Sequence, residues 1–283
     1  MKKIQSLILV IFLLLSLSSC GLFTLEDETI NNITNKTTEV EDFTIGDFQT
    51  ALQTAIEKAE SSVIAIVQTE GGWIGSSSLG SGVVLKRKAI LEDESLGEKE
   101  GNIVSYSYLV VTNRHVISTS KKTISKNLKV YVGNGDRVET ATCLAYSNKE
   151  DLALITFNST IYMSEASLAE TTNLKKGTFV VAIGSPNSLD YYGTSTFGII
   201  SYPLRYLEDE AFGYSSQTII SNAYIQHDAA INSGNSGGGL FNIEGKLLGI
   251  NTQKIQSSED DIIEGMGFSI PTHIILEVFK DYL

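Results

Sequence analysis

"INSGNSGGGLFN", residues 231–242, sets Ser236 among four glycines. Ordered glycine costs backbone entropy, so a cluster of them needs a reason. Apolar stretches flank this one, "NAYIQHDAA" before it and "GKLLGINTQ" after it. Glycines let a turn aim successive N–H groups inward with no side chain in the way. A serine on such a turn is a candidate nucleophile, provided a base lies within hydrogen-bond reach and a third group orients that base. An ordinary hairpin turn is the plainer reading of the motif taken alone.

Outward from this turn the pattern is one of short strands. From Val63 onward they include "SVIAIVQT", "GSGVVLK", "YSYLVVT", "NLKVYVG", "VETATCLAYS", "DLALITF", "TFVVAIGS", "TSTFGIISY", "TIISNAYIQ", "GKLLGINTQ" and "GMGFSIP". Turn residues or charges separate them and no helical repeat intervenes, so the fold class is all-β, a barrel or sandwich, not βαβ. Two helices bracket the strands. "DFQTALQTAIEKAE" (47–60) places Phe48, Leu52, Ala55, Ile56 and Ala59 at helical spacing with Asp47 as N-cap, and "THIILEVFKDYL" closes the chain with Ile275, Val278 and Phe279 on one face. Residues 86–102, 118–127 and 253–265 read as surface loops, and 157–177 as the crossing between two halves. No internal sequence repeat is visible.

The chain has 283 residues and a formal charge of −12, from 33 acidic and 21 basic residues. Such a chain repels nucleic acid and gains nothing electrostatically from an anionic membrane. A membrane contact must come from the N-terminus. "MKK" is a short basic start, "ILVIFLLLSLSS" an apolar core, and "LSSC" its end. That end resembles a bacterial lipobox: Leu17, two small residues (Ser18, Ser19), then Cys20. The resemblance implies that residues 1–19 are a lipoprotein signal peptide, that Cys20 is diacylated, and that the protein is held on the extracytoplasmic face of the cell membrane. An uncleaved anchor is the alternative, though the run from Ile4 to Ser19 is slightly short to span a bilayer. Residues 20–46 are polar and lack core periodicity, as a flexible tether does. With Cys20 lipidated, Cys143 has no partner, no intramolecular disulfide is expected, and the thiol reads as a small buried hydrophobe in a strand.

A base for Ser236 must come from three histidines. His273 opens the last helix after Pro271, a surface or capping position. His227 precedes Ser236 by nine residues on one apparent strand, a neighbour and not an opposed partner. His115 follows "YLVVTNR", where a buried strand gives way to a short helical turn, and is the candidate. The orienting acid is best sought at Asp151, at the threshold of "LALITF", with Glu150 its competitor. His, Asp and Ser at 115, 151 and 236 follow the chymotrypsin order, suited to two barrels with His and Asp from the first and Ser from the second.

With these residues in place, "GSGVV", "VVTNRHVI", "DLALI", "VAIGSP", "QHDAAINSGNSGGGLFN", "GKLLGINT" and "GMGFSIP" resemble the protease domain of HtrA/Deg proteins, chymotrypsin-like serine peptidases of the bacterial envelope. The resemblance runs from about Ser62 to Thr272. It implies a double six-stranded antiparallel β-barrel with short N- and C-terminal helices. Residues 47–165 would hold the first helix and barrel, and 166–283 the second barrel and last helix. It assigns His115 as general base, Asp151 as its orienter and Ser236 as nucleophile, with the N–H groups of Gly234 and Ser236, flanking Asn235, as the oxyanion hole. In this fold the pocket for the residue before the scissile bond would draw on Ala230, Ile231, Asn251, Met266 and Phe268. The position that carries an acid in trypsin-like pockets is Ala230, so small or medium aliphatic residues (Val, Ala, Ile) are expected there. Asp228, two residues back, is the one acid that could alter this.

The sequence departs from the family at two loop positions. Ser233 and Gly239 stand where the family usually has proline, which is expected to loosen the oxyanion turn. The sequence ends shortly after "GFSIPTH", so a form without a PDZ domain is expected. Family members often trimerise through their N-terminal segment, which makes a homotrimer the implied assembly. The reading is a membrane-anchored serine endopeptidase acting on proteins or peptides, in protein quality control or on a dedicated target, without metal or cofactor. The alternatives are a protease-fold binding module without turnover, and a glutamyl endopeptidase. Against the second, Asn251 stands where that class has a pocket histidine.

Overall fold

The computed structural model describes residues 44–70, 77–210, 219–252 and 265–283. The chain divides into compact units of residues 1–48 and 49–283. In the first, residues 44–48 are described and hold a helix start. Thr44 Oγ1 accepts from the Asp47 N–H at 3.2 Å, and the Asp47 carboxylate accepts from the Thr44 N–H at 2.8 Å. This reciprocal pair is a capping box, so Thr44 and not Asp47 is the N-cap. Helix α1 (Ile45–Glu60) follows. The expected signal peptide, Cys20 and tether residues 21–43 lie outside the described residues, whereas residues 44–46, expected in the tether, form the N-cap and first turn of α1.

The second unit is built of strands. After α1 come β1 (Val63–Thr69), β2 (Ser77–Leu91), β3 (Ile103–Asn113), β4 (Leu128–Val132), β5 (Arg137–Ser147) and β6 (Leu152–Ser159). They close into an antiparallel barrel in the order β1-β2-β3-β6-β5-β4. Strands β7 (Phe179–Gly184), β8 (Thr194–Glu210), β9 (Ile219–His227), β10 (Gly239–Asn242), β11 (Leu247–Thr252) and β12 (Gly267–Pro271) form a second closed barrel. Its order is β7-β8-β9-β12-β11-β10, the same path as the first. The fold therefore repeats although the sequence does not. Helix α2 (Thr272–Val278) ends the chain.

Alternation decides what each strand buries. Ile64, Ile66, Val110, Val130 and Ile155 fill the first barrel, while Val180, Ile200, Ile225, Leu240 and Leu248 fill the second. The opposite faces of several strands are apolar too. Val83, Val111, Leu152 and Leu154 of the first barrel meet Val181, Ile183, Tyr224, Phe241 and Phe268 of the second in a core that also takes Ala59 from α1 and Phe279 beyond α2. This shared core fixes one barrel against the other, and the loops that flank the seam inherit that rigidity.

Two readings need correction. Residues 86–91 are not loop, because β2 continues through "KRKAIL" with Ala89 buried and Lys86 and Lys88 exposed. The charges sit on the outward face of a long hairpin. The glycine-rich segment after Ser236 contains a strand, β10, which pairs with both β7 and β11. Residues 118–127 are largely irregular, as expected, and of the expected crossing at 157–177, residues 157–159 belong to β6 while 160–177 are largely irregular. The acidic run at 253–264 lies outside the described residues.

Candidate active site

Strand β3 ends at Asn113 and the chain turns into a short 3-10 segment, His115–Ile117. Its neighbour β6 begins at Leu152, paired with Asn113, so the turn before β6 lies against the start of the 3-10 segment. That turn carries Asp151 in the left-handed region, φ +55°. Aspartate tolerates this conformation better than most residues. The Asp151 carbonyl accepts from the Arg114 N–H at 3.0 Å and from the Asn113 side-chain amide at 3.2 Å. The carboxylate is thereby aimed at His115. Its Oδ2 lies 2.7 Å from His115 Nδ1, and its Oδ1 accepts the His115 peptide N–H at 2.9 Å. Asp151 is buried while the imidazole is one-third exposed. Glu150 is engaged elsewhere, with Ser147 Oγ and Lys149 Nζ.

Ser236 comes from the second barrel, in the loop between β9 and β10, and its residue is 5% exposed. First-barrel residues hold it. The N–H of Ser81 in β2 donates to the Ser236 carbonyl at 2.8 Å, and the Ser81 carbonyl accepts from Thr112 Oγ1, three residues before His115, at 2.6 Å. At Gly237, φ is +85° and a Cβ would lie 2.1 Å from the Ser81 carbonyl oxygen, so glycine is required both for the turn and for the approach of the barrels. The Asn235 carbonyl accepts the Gly238 N–H at 3.0 Å. A trans peptide sets C=O and N–H on opposite sides, so the Ser236 N–H points away from that bond. The structure thus joins Asp151 to His115 in the first barrel and holds Ser236, of the second, against Ser81, which Thr112 ties to the strand that leads to His115.

The other histidines have different partners. His227 ends β9 and does not share a strand with Ser236, which sits in the following loop. Its ring is fully buried against Gly267, with Nε2 3.1 Å from Ser269 Oγ, and burial pushes its pKa down to about 4. His273 Nδ1 pairs with Thr171 Oγ1 at 2.7 Å, at the start of α2. Cys143 is half-buried in β5, and burial raises its thiol pKa.

The pocket candidates separate into two groups. Ala230 and Met266 are exposed and Ile231 is half-buried. Phe268 is buried in the core between the barrels, its ring 6.2 Å from that of Tyr224, and does not face an open cleft. Asn251 is also fully buried. Its amide donates to the Gly239 carbonyl at 2.9 Å and its Oδ1 accepts from Ser269 Oγ at 2.8 Å. Asp228 is exposed and turned toward β8, accepting the Ile199 N–H at 2.6 Å. Beside the Gly234 turn runs a cleft of about 520 Å³, with Val67, Leu79 and Tyr131 on one wall and Leu189, Ser233 and Gly234 on the other. Among the described residues no cluster of His, Cys, Asp and Glu could hold a metal ion.

Residues that the motif reading missed also reach this turn. Ser81 lies inside "GSGVV", but nothing in that motif shows that its side chain bonds a turn 153 residues away. Asn187, after Ser185 and Pro186, carried a local signal, since asparagine in such a loop favours the left-handed region.

The model of the trypsin-like peptidase domain matches residues 80–250, more than half of the chain. The serine protease Do-like HtrA of Lactococcus lactis subsp. cremoris is 34% identical over 247 residues, covering 82% of this chain and 56% of its own. The serine protease Do-like HtrA of Lactobacillus helveticus is 34% identical over 204 residues, 67% of this chain and 46% of its own. Serine protease HTRA3 of Rattus norvegicus is 37% identical over 188 residues, 66% of this chain and 38% of its own. The chain spans about half the length of the curated bacterial relatives it matches.

Proposed function

The chain belongs to the trypsin-like peptidase family and is similar to its HtrA members, and we propose that it is a serine endopeptidase working through Ser236, His115 and Asp151. The observation that carries this is the pair of hydrogen bonds that the Asp151 carboxylate accepts from His115, at 2.7 Å from Nδ1 and 2.9 Å from the peptide N–H. A carboxylate on Nδ1 holds that nitrogen protonated and leaves Nε2 as the base. His115 takes the proton of Ser236 Oγ as that oxygen attacks the scissile carbonyl. The N–H groups of Gly234 and Ser236 receive the developing oxyanion. The imidazolium, stabilised by Asp151, then protonates the leaving amine, and water activated by the same histidine hydrolyses the acyl-enzyme.

The same reading extends to substrate and place. The residue before the cut is aliphatic, because Ala230 supplies no charge and the Asp228 carboxylate is turned toward β8. The protein is lipid-anchored through Cys20, acts on polypeptides outside the cytoplasm in protein quality control, and works as a homotrimer. What supports the anchor is the N-terminal sequence, and what supports the role and the assembly is the resemblance to the HtrA family. Hydrolysis of casein by purified protein tests the activity. Turnover by the wild type and none by Ser236→Ala is expected. Equal rates from the two proteins would reject the assignment.

A further inference from the structure

Ser81 and Asn187 stand in an unusual relation to the turn before Ser236. Ser81 is fully buried. Its Oγ donates to the Gly234 carbonyl at 2.8 Å and accepts the Ser185 N–H at 2.9 Å. Its own N–H donates to the Ser236 carbonyl at 2.8 Å. One residue of the first barrel therefore grips the turn on both sides of Asn235. Two residues beyond Ser185, Asn187 adopts the left-handed region, φ +60°, and donates its N–H to the Ser233 carbonyl at 2.7 Å. Pro186 joins the two and restricts the backbone between them.

The Asn187 bond decides which way one peptide unit faces, and the Ser81 hydroxyl holds the carbonyl of the next, Gly234–Asn235. The Ser233 carbonyl and the Gly234 N–H belong to a single trans peptide and point in opposite directions. With the carbonyl held by Asn187, the Gly234 N–H faces away from Asn187. If the unit turned over, the Ser233 carbonyl would take the place of the donor and the oxyanion would meet an acceptor instead. Turning over requires release of the Asn187 bond, in a backbone packed so closely that a Cβ at Gly234 would sit 2.3 Å from the Ser185 carbonyl oxygen. Prolines at 233 and 239 are thus not needed to stiffen the turn. At 239 the space a side chain would use is filled by the Phe241 ring, which lies 2.3 Å from the Cβ position.

We propose that Asn187, through the Ser233 carbonyl, and Ser81, through the Gly234 carbonyl that follows, are positioning residues that preset the Gly234 N–H toward the substrate before any ligand binds. This rests on Gly234 and Ser236 being the oxyanion donors. A preset turn acts only as negative charge develops on the carbonyl oxygen, so its loss lowers kcat and leaves KM in place.

The test compares wild type, Ser81→Ala, Asn187→Ala and Asn187→Gly on one peptide substrate and on a peptidyl boronate, which forms a tetrahedral anion on the serine. Removing an oxyanion donor outright costs about 10²–10³ in kcat, so loosening its mount is expected to cost ~10-fold or more. Ser81→Ala and Asn187→Ala lose that much in kcat and in boronate affinity, with KM within about 2-fold. Both Asn187 variants retain the backbone N–H, but only glycine accepts the positive φ without strain, so Asn187→Gly keeps most of the rate. Thermal melting separates these effects from unfolding, and Asn187→Ala, at an exposed position, serves if Ser81→Ala fails to fold. Wild-type kcat and boronate affinity in the folded Ala variants would overturn the proposal and leave the endopeptidase reading intact. Equal losses in Asn187→Gly and Asn187→Ala would overturn it also. A wild type that neither turns over the peptide nor reacts with a fluorophosphonate would overturn the reading of the site, and the proposal with it.

Discussion

Asp151 Oδ2 lies 2.7 Å from His115 Nδ1 while Asp151 Oδ1 accepts the peptide N–H of the same histidine at 2.9 Å. One carboxylate fixes both the ring and the backbone of His115. The left-handed φ of Asp151 makes this geometry available from a turn. Asp151→Asn preserves the shape and tolerates that φ, but its amide NH₂ cannot serve as the second acceptor. The imidazole then loses its tautomer preference. Proteolysis is expected to fall on the order of 10³- to 10⁴-fold with little change in melting temperature. Retention of wild-type kcat by Asp151→Asn would contradict the role given to this pair.

The buried His227 imposes a pH dependence on stability. Desolvation lowers its pKa to about 4, from 6.5 for the free side chain. Between those values the unfolded chain binds the proton and the folded chain does not, so acid favours unfolding. The contribution is complete above about pH 6.5 and is lost as pH falls toward 4, an effect on the order of 3 kcal/mol. Melting curves of the wild type and His227→Asn across that window provide the check. The variant should show a flatter dependence, and identical slopes would mean that His227 does not titrate in this way.

Phe268 belongs to the core between the barrels, at 2% exposure. Phe268→Ala should destabilise the fold by ~3–5 kcal/mol in urea unfolding. Its effect on the residue preferred before the cut should be small. A changed preference without loss of stability would return Phe268 to the substrate pocket.

Peptide-library profiling is expected to show Val, Ala or Ile before the scissile bond. An Arg or Lys side chain would find no carboxylate at Ala230, and the Asp228 carboxylate is turned toward β8, where its Oδ1 accepts the Ile199 N–H at 2.6 Å. A dominant preference for Arg, Lys or Glu would show that another group lines the pocket.

The anchor is tested by mass spectrometry of the mature N-terminus. A diacylated Cys20 is expected in the wild type, since two acyl chains suffice for stable membrane attachment. Cys20→Ser should leave residues 1–19 in place and carry no lipid. An unmodified wild-type peptide running from Met1 through Cys20 would rule the lipid anchor out.

Much of this architecture was legible in the sequence because its signals are local. Alternation in "SVIAIVQT" or "DLALITF" reports burial residue by residue, and the glycines around Ser236 report a turn. Strand β10 was not legible, since it is only Gly239–Asn242 and its first residue is glycine. The outer half of β2 was masked by Lys86, Arg87 and Lys88, whose charges suit the exposed face of a hairpin as well as they suit a loop. His115 and Asp151 could be nominated by their places at strand ends, but their hydrogen bonds could not. The contacts of Ser81 with Gly234 and of Asn187 with Ser233 join segments far apart in the chain, the first from a serine hydroxyl to a carbonyl and the second between backbone groups that every residue carries. No pattern of side chains announces them.

Reaction with a fluorophosphonate measures the central claim most directly, because it requires the nucleophile, its base and the oxyanion donors together. Wild-type protein should take up one label per chain, mapped by peptide mass spectrometry to Ser236. His115→Ala should label far more slowly and Ser236→Ala not at all. A wild type that stays unlabelled while folded, or a label found on another residue, would contradict the account.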